Sequence, residues 1–410
     1  MRLFFLSGLL ITYSFLQAQM LPAISESEVS RIEKTLSSDD MQGRQVFTKG
    51  IEKAAAFITK EFNQAGLKPL PGSKDYNQTF EMMEPETTRA SMTLNGAPVD
   101  KKNLTVFSAE SSLTITQDDH YHIVHVKKAA DFNETVLKYL ESEENVLILV
   151  DTSMAKKFSR LADFQMPQFS GKGNRIYVLT SEEPVQYRIE ITQKIKKQIL
   201  TNLIGMIPGI SKPDEYVIFS AHYDHLGIGK PDAAGDSIYN GANDDASGTA
   251  AVIALAGYFR KLHNNERTLI FAAFTAEEIG EFGSAYFSGK FNPEKVVAML
   301  NIEMIGTESK WGKNSAYISG YDRSDLGSIL QKNLGNTPFK FYPDPYPEQQ
   351  LFLRSDNASL AKKGVPAHSI STSKMDVEKY YHQPGDEIGT LDLANMTEII
   401  RAIGLSAGSI

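Results

Sequence analysis

Two imidazoles and a carboxylate, His222, Asp224 and His225, stand within four residues at the end of the apolar run YVIFSA. The chain then offers similar groups four more times. Asp244 and Asp245 lie in NGANDDASGTAA, Glu277 and Glu278 follow TLIFAAF, Glu303 sits inside MLNIEMIG, and His382 lies in KYYHQPGDE. Taken singly, each has an ordinary explanation: a solvated turn, a helix start whose dipole favours acids, a loop histidine. Glu303 resists this most, because a carboxylate between Ile302 and Met304 is costly to bury without a partner, and a cation is the simplest one. Taken together, the five segment ends form an N/O donor set suited to zinc or a similar divalent ion. One ion with an open position needs three protein ligands, so five ligand sites with one carboxylate shared suit two ions. The shared carboxylate and a bridging hydroxide would offset the repulsion between the cations. Hydrolysis is the chemistry that follows: the ions acidify water and polarise a carbonyl, and an unligated carboxylate serves as base. Glu277–Glu278 can supply one base and one ligand.

Elements able to gather these groups are visible around them. From Asn202 onward, short apolar runs (NLIGMIPG, YVIFSA, TLIFAAF, VVAMLNI) alternate with helical stretches such as SGTAAVIALAGYFRKL. That grammar predicts an α/β fold, a mostly parallel mixed sheet with helices on both faces. Ligands bind beyond the carboxyl ends of such strands, which is where the candidate residues fall. Ser247 is placed to cap the helix that follows Asp244 and Asp245. Upstream, Ile51, Ala54, Ala55, Ile58, Phe62 and Ala65 recur at helical spacing before Gly66, predicting an amphipathic helix with a glycine stop. Residues 84–197 read differently, as short β-like runs between charged turns, and predict a β-rich insertion. The main domain would then be discontinuous, 19–83 and 198–410.

Bulk properties narrow the classes. Over 410 residues the formal charge is −8, with 42 Lys+Arg against 50 Asp+Glu, and no basic cluster is interleaved with aromatics, which argues against a nucleic-acid surface. Residues 1–18 combine a basic Arg2, an apolar stretch too short to span a bilayer and a small residue at Ala18, the pattern of a signal peptide. A periplasmic or secreted protein is the expectation. No later run is long enough for a transmembrane segment. With no cysteine in the chain, any metal must be held by His, Asp and Glu. Nothing in the sequence sets an oligomeric state.

The ordered set HYD, GANDDASG, AEE, NIEMIG and YYHQPGDE resembles the dinuclear zinc aminopeptidases of metallopeptidase family 28, a group that also holds glutamate carboxypeptidases and glutaminyl cyclases. The likeness covers about half of the chain, from Asn202 to the C-terminus, with weaker support from SSDDMQGR and KGIEKAAAFI upstream. The resemblance implies two Zn²⁺, with Mn²⁺ or Co²⁺ as other candidates. Asp244 would bridge them, with His222 and Glu303 on one ion and Glu278 and His382 on the other. Glu277 would be the general base. Asp224 would accept the second ring N–H of His222, and Tyr381 would stabilise the oxyanion. A cis peptide would follow the bridging Asp. Where this chain has Glu303 the family more often has Asp, and Asn357 stands where a His is frequent. The implied substrates are peptides with a free N-terminus. The alternatives are a carboxypeptidase or glutaminyl cyclase of the same superfamily, or a non-catalytic binding protein on this fold. The insertion resembles, in position and texture, the protease-associated domain of some relatives.

The remaining candidates receive structural roles. His120 and His122 would share one strand face with His125 on the other, which argues against a three-ligand site. His225 is expected to line the pocket, His263 and His368 to be structural, and Arg354 to pair with Asp356.

Overall fold

The computed structural model describes residues 24–410 apart from 130, 141, 164–166, 170 and 171; the expected leader, 1–18, lies outside them. The apolar runs become strands of one large mixed sheet. Its long members are β1 (Asn77–Leu94), β2 (Tyr187–Ile207), β3 (Lys212–His222), β4 (Arg267–Phe274), β5 (Val296–Ile302), β6 (Ser315–Ile318), β7 (Lys340–Pro343) and β8 (Ala367–Ser371), in the spatial order β7-β6-β8-β5-β3-β4-β2-β1. Strands β4, β3, β5 and β8 run parallel, while β6 and β2 pair antiparallel on either side of them.

β3 shows why an unbroken apolar run was needed. Val217, Phe219 and Ala221 face one buried layer and Ile218 the opposite one, so both sheet faces are covered. On the first face lie helices α1 (Glu26–Leu36), α2 (Lys49–Ala65), α3 (Ser247–Leu262) and α4 (Leu393–Ser406). α2 matches its expected stripe: Ile51, Ala54, Ile58 and Phe62 are buried, and Gly66 ends it at φ 73°, where a residue without Cβ is least strained. Among the described residues, no helix is long and apolar enough to cross a membrane.

The insertion is joined through paired strands instead of a flexible linker. β1 and β2 are antiparallel partners along most of their length, and the expected boundary falls on one rung, Met83 opposite Lys197. Beyond it, a four-stranded sheet orders Leu104–Phe107, Arg175–Leu179, Val146–Val150 and His122–Val126. Three of these strands are parallel neighbours, and helix Asp131–Leu140 lies between two of them in the chain. The insertion is therefore less purely β than expected. The missed helix carries Phe132, Val136 and Tyr139 at i, i+4 and i+7, all buried in the insertion's own apolar cluster.

Candidate metal centre and active site

The parallel strands deliver their ends to one place. Ser220 pairs with Asn301 across β3 and β5, and their side chains hydrogen-bond at 2.7 Å. His222, two residues on, therefore meets Glu303, the residue after β5. Glu277 and Glu278 follow β4, and Asp244 arrives from the irregular turn before α3. His382 comes from the loop after β8.

The distances fit ligands of a shared cation better than hydrogen bonds. His222 Nε2 lies 3.3 Å from Asp244 Oδ1 and 3.4 Å from Glu303 Oε1. His382 Nε2 lies 3.3 Å from Asp244 Oδ2 and 3.1 Å from Glu278 Oε2. Donors about 2.1 Å from a tetrahedral zinc stand about 3.4 Å from one another. His382 Nε2 is also buried without a hydrogen-bond partner, an orphan that a cation would satisfy. The two oxygens of Asp244 thus face different histidines, the arrangement a shared carboxylate requires.

Supporting groups hold these donors. His222 Nδ1 bonds to the backbone carbonyl of Asp224 at 3.1 Å, whereas its carboxylate lies 3.9 Å away. The expected tautomer lock is present, but the main chain supplies it. The Asp224 carboxylate instead accepts the N–H groups of Glu277 and Glu278, at 3.2 and 3.4 Å, and so fixes the turn that presents them. The Asp244–Asp245 peptide is cis, as the resemblance implied. Asp386 accepts the N–H groups of Asn243 and Asp244, and Ser355 donates to Glu303 Oε2 at 2.6 Å.

Several expectations need correction. Ser247 does not cap α3: its hydroxyl donates to the Asn243 carbonyl and accepts from the Ile305 N–H, tying the Asp244 turn to the end of β5. His225 does not line the cavity. Its buried ring contacts Glu278 Oε1 through Nδ1 at 2.6 Å, a hydrogen-bond distance that orients this carboxylate, and with Asp244 and Glu278 it also forms a group able to hold a cation. Arg354 does not pair with Asp356, which is fully buried, but bonds weakly to Gln349 at the cavity lip. His122 and His125 contact different carboxylates, Glu144 and Glu183, consistent with opposite strand faces. His368 is buried between Ser324 and the Ser319 carbonyl, and His263 ends α3 on the surface side.

Sequence reasoning missed Arg44. Its guanidinium is completely buried and donates to the carbonyls of Leu36, Tyr223, Asn240 and Gly241. It thereby joins the end of β3 to the Asp244 turn. The signal lies in the QGR of SSDDMQGR, where nothing in the spacing tells that the arginine is buried.

Electrostatics follow from carboxylates crowded out of water. Burial disfavours charge on His222, but Glu277, Glu303 and Asp244 outweigh it and hold its pKa well above the ordinary value. His382, likewise opposed by burial, is carried to about 10 by Asp244 and Glu278. Burial, with Glu303, Asp356 and Glu278 adding to it, pushes Glu277 well above the usual carboxylate range. Tyr381 is raised by burial and by the same acids, so its hydroxyl keeps its proton. Without a cation the cluster must hold protons, and metal binding would displace them.

Residues 202–406 match the model of peptidase family M28. The chain belongs to peptidase family M28. A probable zinc metalloprotease of Leptosphaeria maculans is 32% identical over 136 residues, 33% of this chain and 30% of that protein. The matched stretch spans less than a third of the length of such curated relatives. Among solved structures, a zinc aminopeptidase from Bacillus subtilis superposes with TM-score 0.58, covering 95% of each chain at 16% identity. A glutaminyl cyclase from Porphyromonas gingivalis gives TM-score 0.52, covering 94% of this chain and 98% of that one at 10% identity. At such identities the likeness shows the fold alone, so within M28 the site has to argue the reaction.

Proposed function

We propose that this M28 protein is an exported aminopeptidase that holds two zinc ions and removes the terminal residue of peptides with a free N-terminus. The observation that carries it is the division of Asp244, with one oxygen at His222 and the other at His382. His222, Asp244 and Glu303 would hold one ion, and Asp244, Glu278 and His382 the other. When bound, such ions supply Lewis acidity to a scissile carbonyl and lower the pKa of water.

The chain's own groups do the rest. Glu277 is the carboxylate left without a ligand role, and its backbone is pinned by Asp224. It takes the proton of the attacking water and returns it to the leaving amine; the crowding that raises its proton affinity suits that transfer. Tyr381, neutral and on the cavity wall, donates to the developing oxyanion. Export rests on the leader at residues 1–18.

The test is zinc content together with hydrolysis of aminoacyl-anilides, before chelation, after it and after zinc is restored. Glu277→Gln should retain both ions and lose on the order of 10²- to 10⁴-fold in kcat. A protein that binds two ions yet turns over no free-amine substrate would defeat the aminopeptidase reading. Blocked peptides and N-terminal glutaminyl peptides then distinguish the carboxypeptidase and cyclase alternatives.

A further inference from the structure

The cavity over the metal-binding side chains is lined by four carboxylates, Asp244, Glu277, Glu278 and Glu303, and by Arg354, the only Lys or Arg among the described residues that line it. Two divalent ions would balance the four carboxylates. Arg354 is then the charge left over at the mouth. It has no carboxylate partner among the described residues; its bonds go to the Gln349 carbonyl and side-chain oxygen, at 3.3 and 3.4 Å, both near the limit for a hydrogen bond.

The segment that carries Arg354 is anchored. The preceding turn, Leu351–Leu353, seats Phe352 against Gly320, where a Cβ would come within 2.2 Å of the ring. Gly320 also has φ 64°, so glycine suits that position twice over. The Arg323 guanidinium lies 4.7 Å from the Phe352 ring centre, and Asn357 Nδ2 donates to the Phe352 carbonyl at 3.0 Å. A guanidinium on so fixed a base loses less freedom when a ligand engages it.

The wall supplies polar company. Ser355 donates to Glu303, Ser369 to Asn357 and Ser371 to the Met304 carbonyl, so these hydroxyl protons are committed. Ser319 differs: its oxygen accepts the Ser369 N–H at 3.2 Å, which leaves its own proton to donate into the cavity.

We propose that Arg354, with Ser319, reads a carboxylate of the substrate, so that acidic substrates are preferred over their neutral isosteres. The inference rests on the peptidase reading above. The carboxylate has two sources: the side chain of an N-terminal Glu or Asp, or the terminal carboxylate of a dipeptide. Either is matched by a guanidinium fork, which a lysine reproduces only as a point charge.

Two substrate pairs test it on the zinc-loaded protein. Glutamyl- against glutaminyl-p-nitroanilide, scored by nitroaniline release, isolates the side-chain source. Leu-Gly against Leu-Gly-amide isolates the terminal source. At least one pair should favour the carboxylate in kcat/KM by about tenfold, as a partly solvated charged hydrogen bond gives, chiefly through KM. Arg354→Gln should bring that ratio close to one, and Arg354→Lys should keep part of it. Zinc content checks that the variants retain the centre. Ratios near one for both wild-type pairs, or a preference that survives Arg354→Gln, would overturn the assignment while the peptidase reading stood. Failure of the zinc-loaded wild type to cleave any free-amine substrate would overturn both.

Discussion

One half of the proposed metal centre is built into the sheet and the other hangs from a loop. His222 is the last residue of β3, its side chain 1% exposed and its ring bonded to the Asp224 carbonyl. Glu303 directly follows β5, its N–H on the Ile370 carbonyl and its carboxylate on Ser355. His382, by contrast, belongs to a connection, sits at φ 57° and leaves 36% of its side chain exposed. Its ring is held mainly by stacking on Tyr381, 3.9 Å between centroids. The difference teaches that strand ends fix geometry before any ion arrives, whereas a loop ligand leaves one side able to yield. The yielding side also carries Tyr381 and so borders the cavity.

Breaking what the halves share should have the largest effect. Asp244→Asn removes a negative charge from both sites; bound zinc should fall from two ions per chain to less than one and turnover should become undetectable. Two ions retained at wild-type affinity would show that Asp244 bridges nothing. Separating the halves comes next. In a competitive chelator titration, His382→Ala should keep one tightly held zinc, because the sheet half is intact. His222→Ala should lose the tight ion and leave the buried Asp244 and the partly buried Glu303 without their partner. Equal losses in the two variants would erase the contrast between sheet and loop. A smaller effect is expected from Ser355→Ala, which frees Glu303 Oε2: groups that orient a ligand are commonly worth 10- to 100-fold in metal affinity. The weakening should appear at the His222 half alone, resolved as one shifted step in the titration.

The contrast also explains what could be read in the sequence. Donors that follow an apolar run, such as His222, Glu278 and Glu303, announce themselves because strand ends of a parallel sheet converge whatever the connections do. His382 is the weakest of the five when read alone, since a histidine before Gln-Pro-Gly has no periodicity to betray it, and only its company with the other four marks it as a donor. What escaped was the supporting layer. Arg44 works through its guanidinium on four main-chain carbonyls that three different segments supply, and His225 by its place behind Glu278. Such roles depend on side-chain direction and distance between segments, which one-dimensional spacing does not encode. The same holds for Asp224, whose residue type was legible but whose carbonyl, not its carboxylate, meets His222. In the insertion, a helix with a clear apolar stripe was passed over because strands surround it, so local context outweighed its own periodicity.

The effect least tied to turnover concerns Asp356, which lies beside the sheet half and shows what so buried a construction costs. It is fully buried. Burial first, then Glu303 and Asp224, push its pKa up to about 7, against the opposing pull of His222 and of the Ser284 side chain. In the unfolded chain it would titrate near 4. The folded pKa is the higher, so the proton favours the fold. Below about pH 4 both states hold it and the contribution is fully present. Between about 4 and 7 the unfolded chain releases its proton while the folded one retains it, and stability falls as pH rises; above 7 the loss is complete. A difference of about three units corresponds to about 4 kcal/mol. Asp356→Asn keeps the shape without the charge, so in the metal-free protein its stability should decline less over this window. Relative to wild type, the variant should gain steadily from pH 4 to 7 and then hold a constant lead. Chemical denaturation at stepped pH, with chelator present, measures the two curves. Parallel curves would mean that the fold already compensates the Asp356 charge, and that the sheet half carries no such cost.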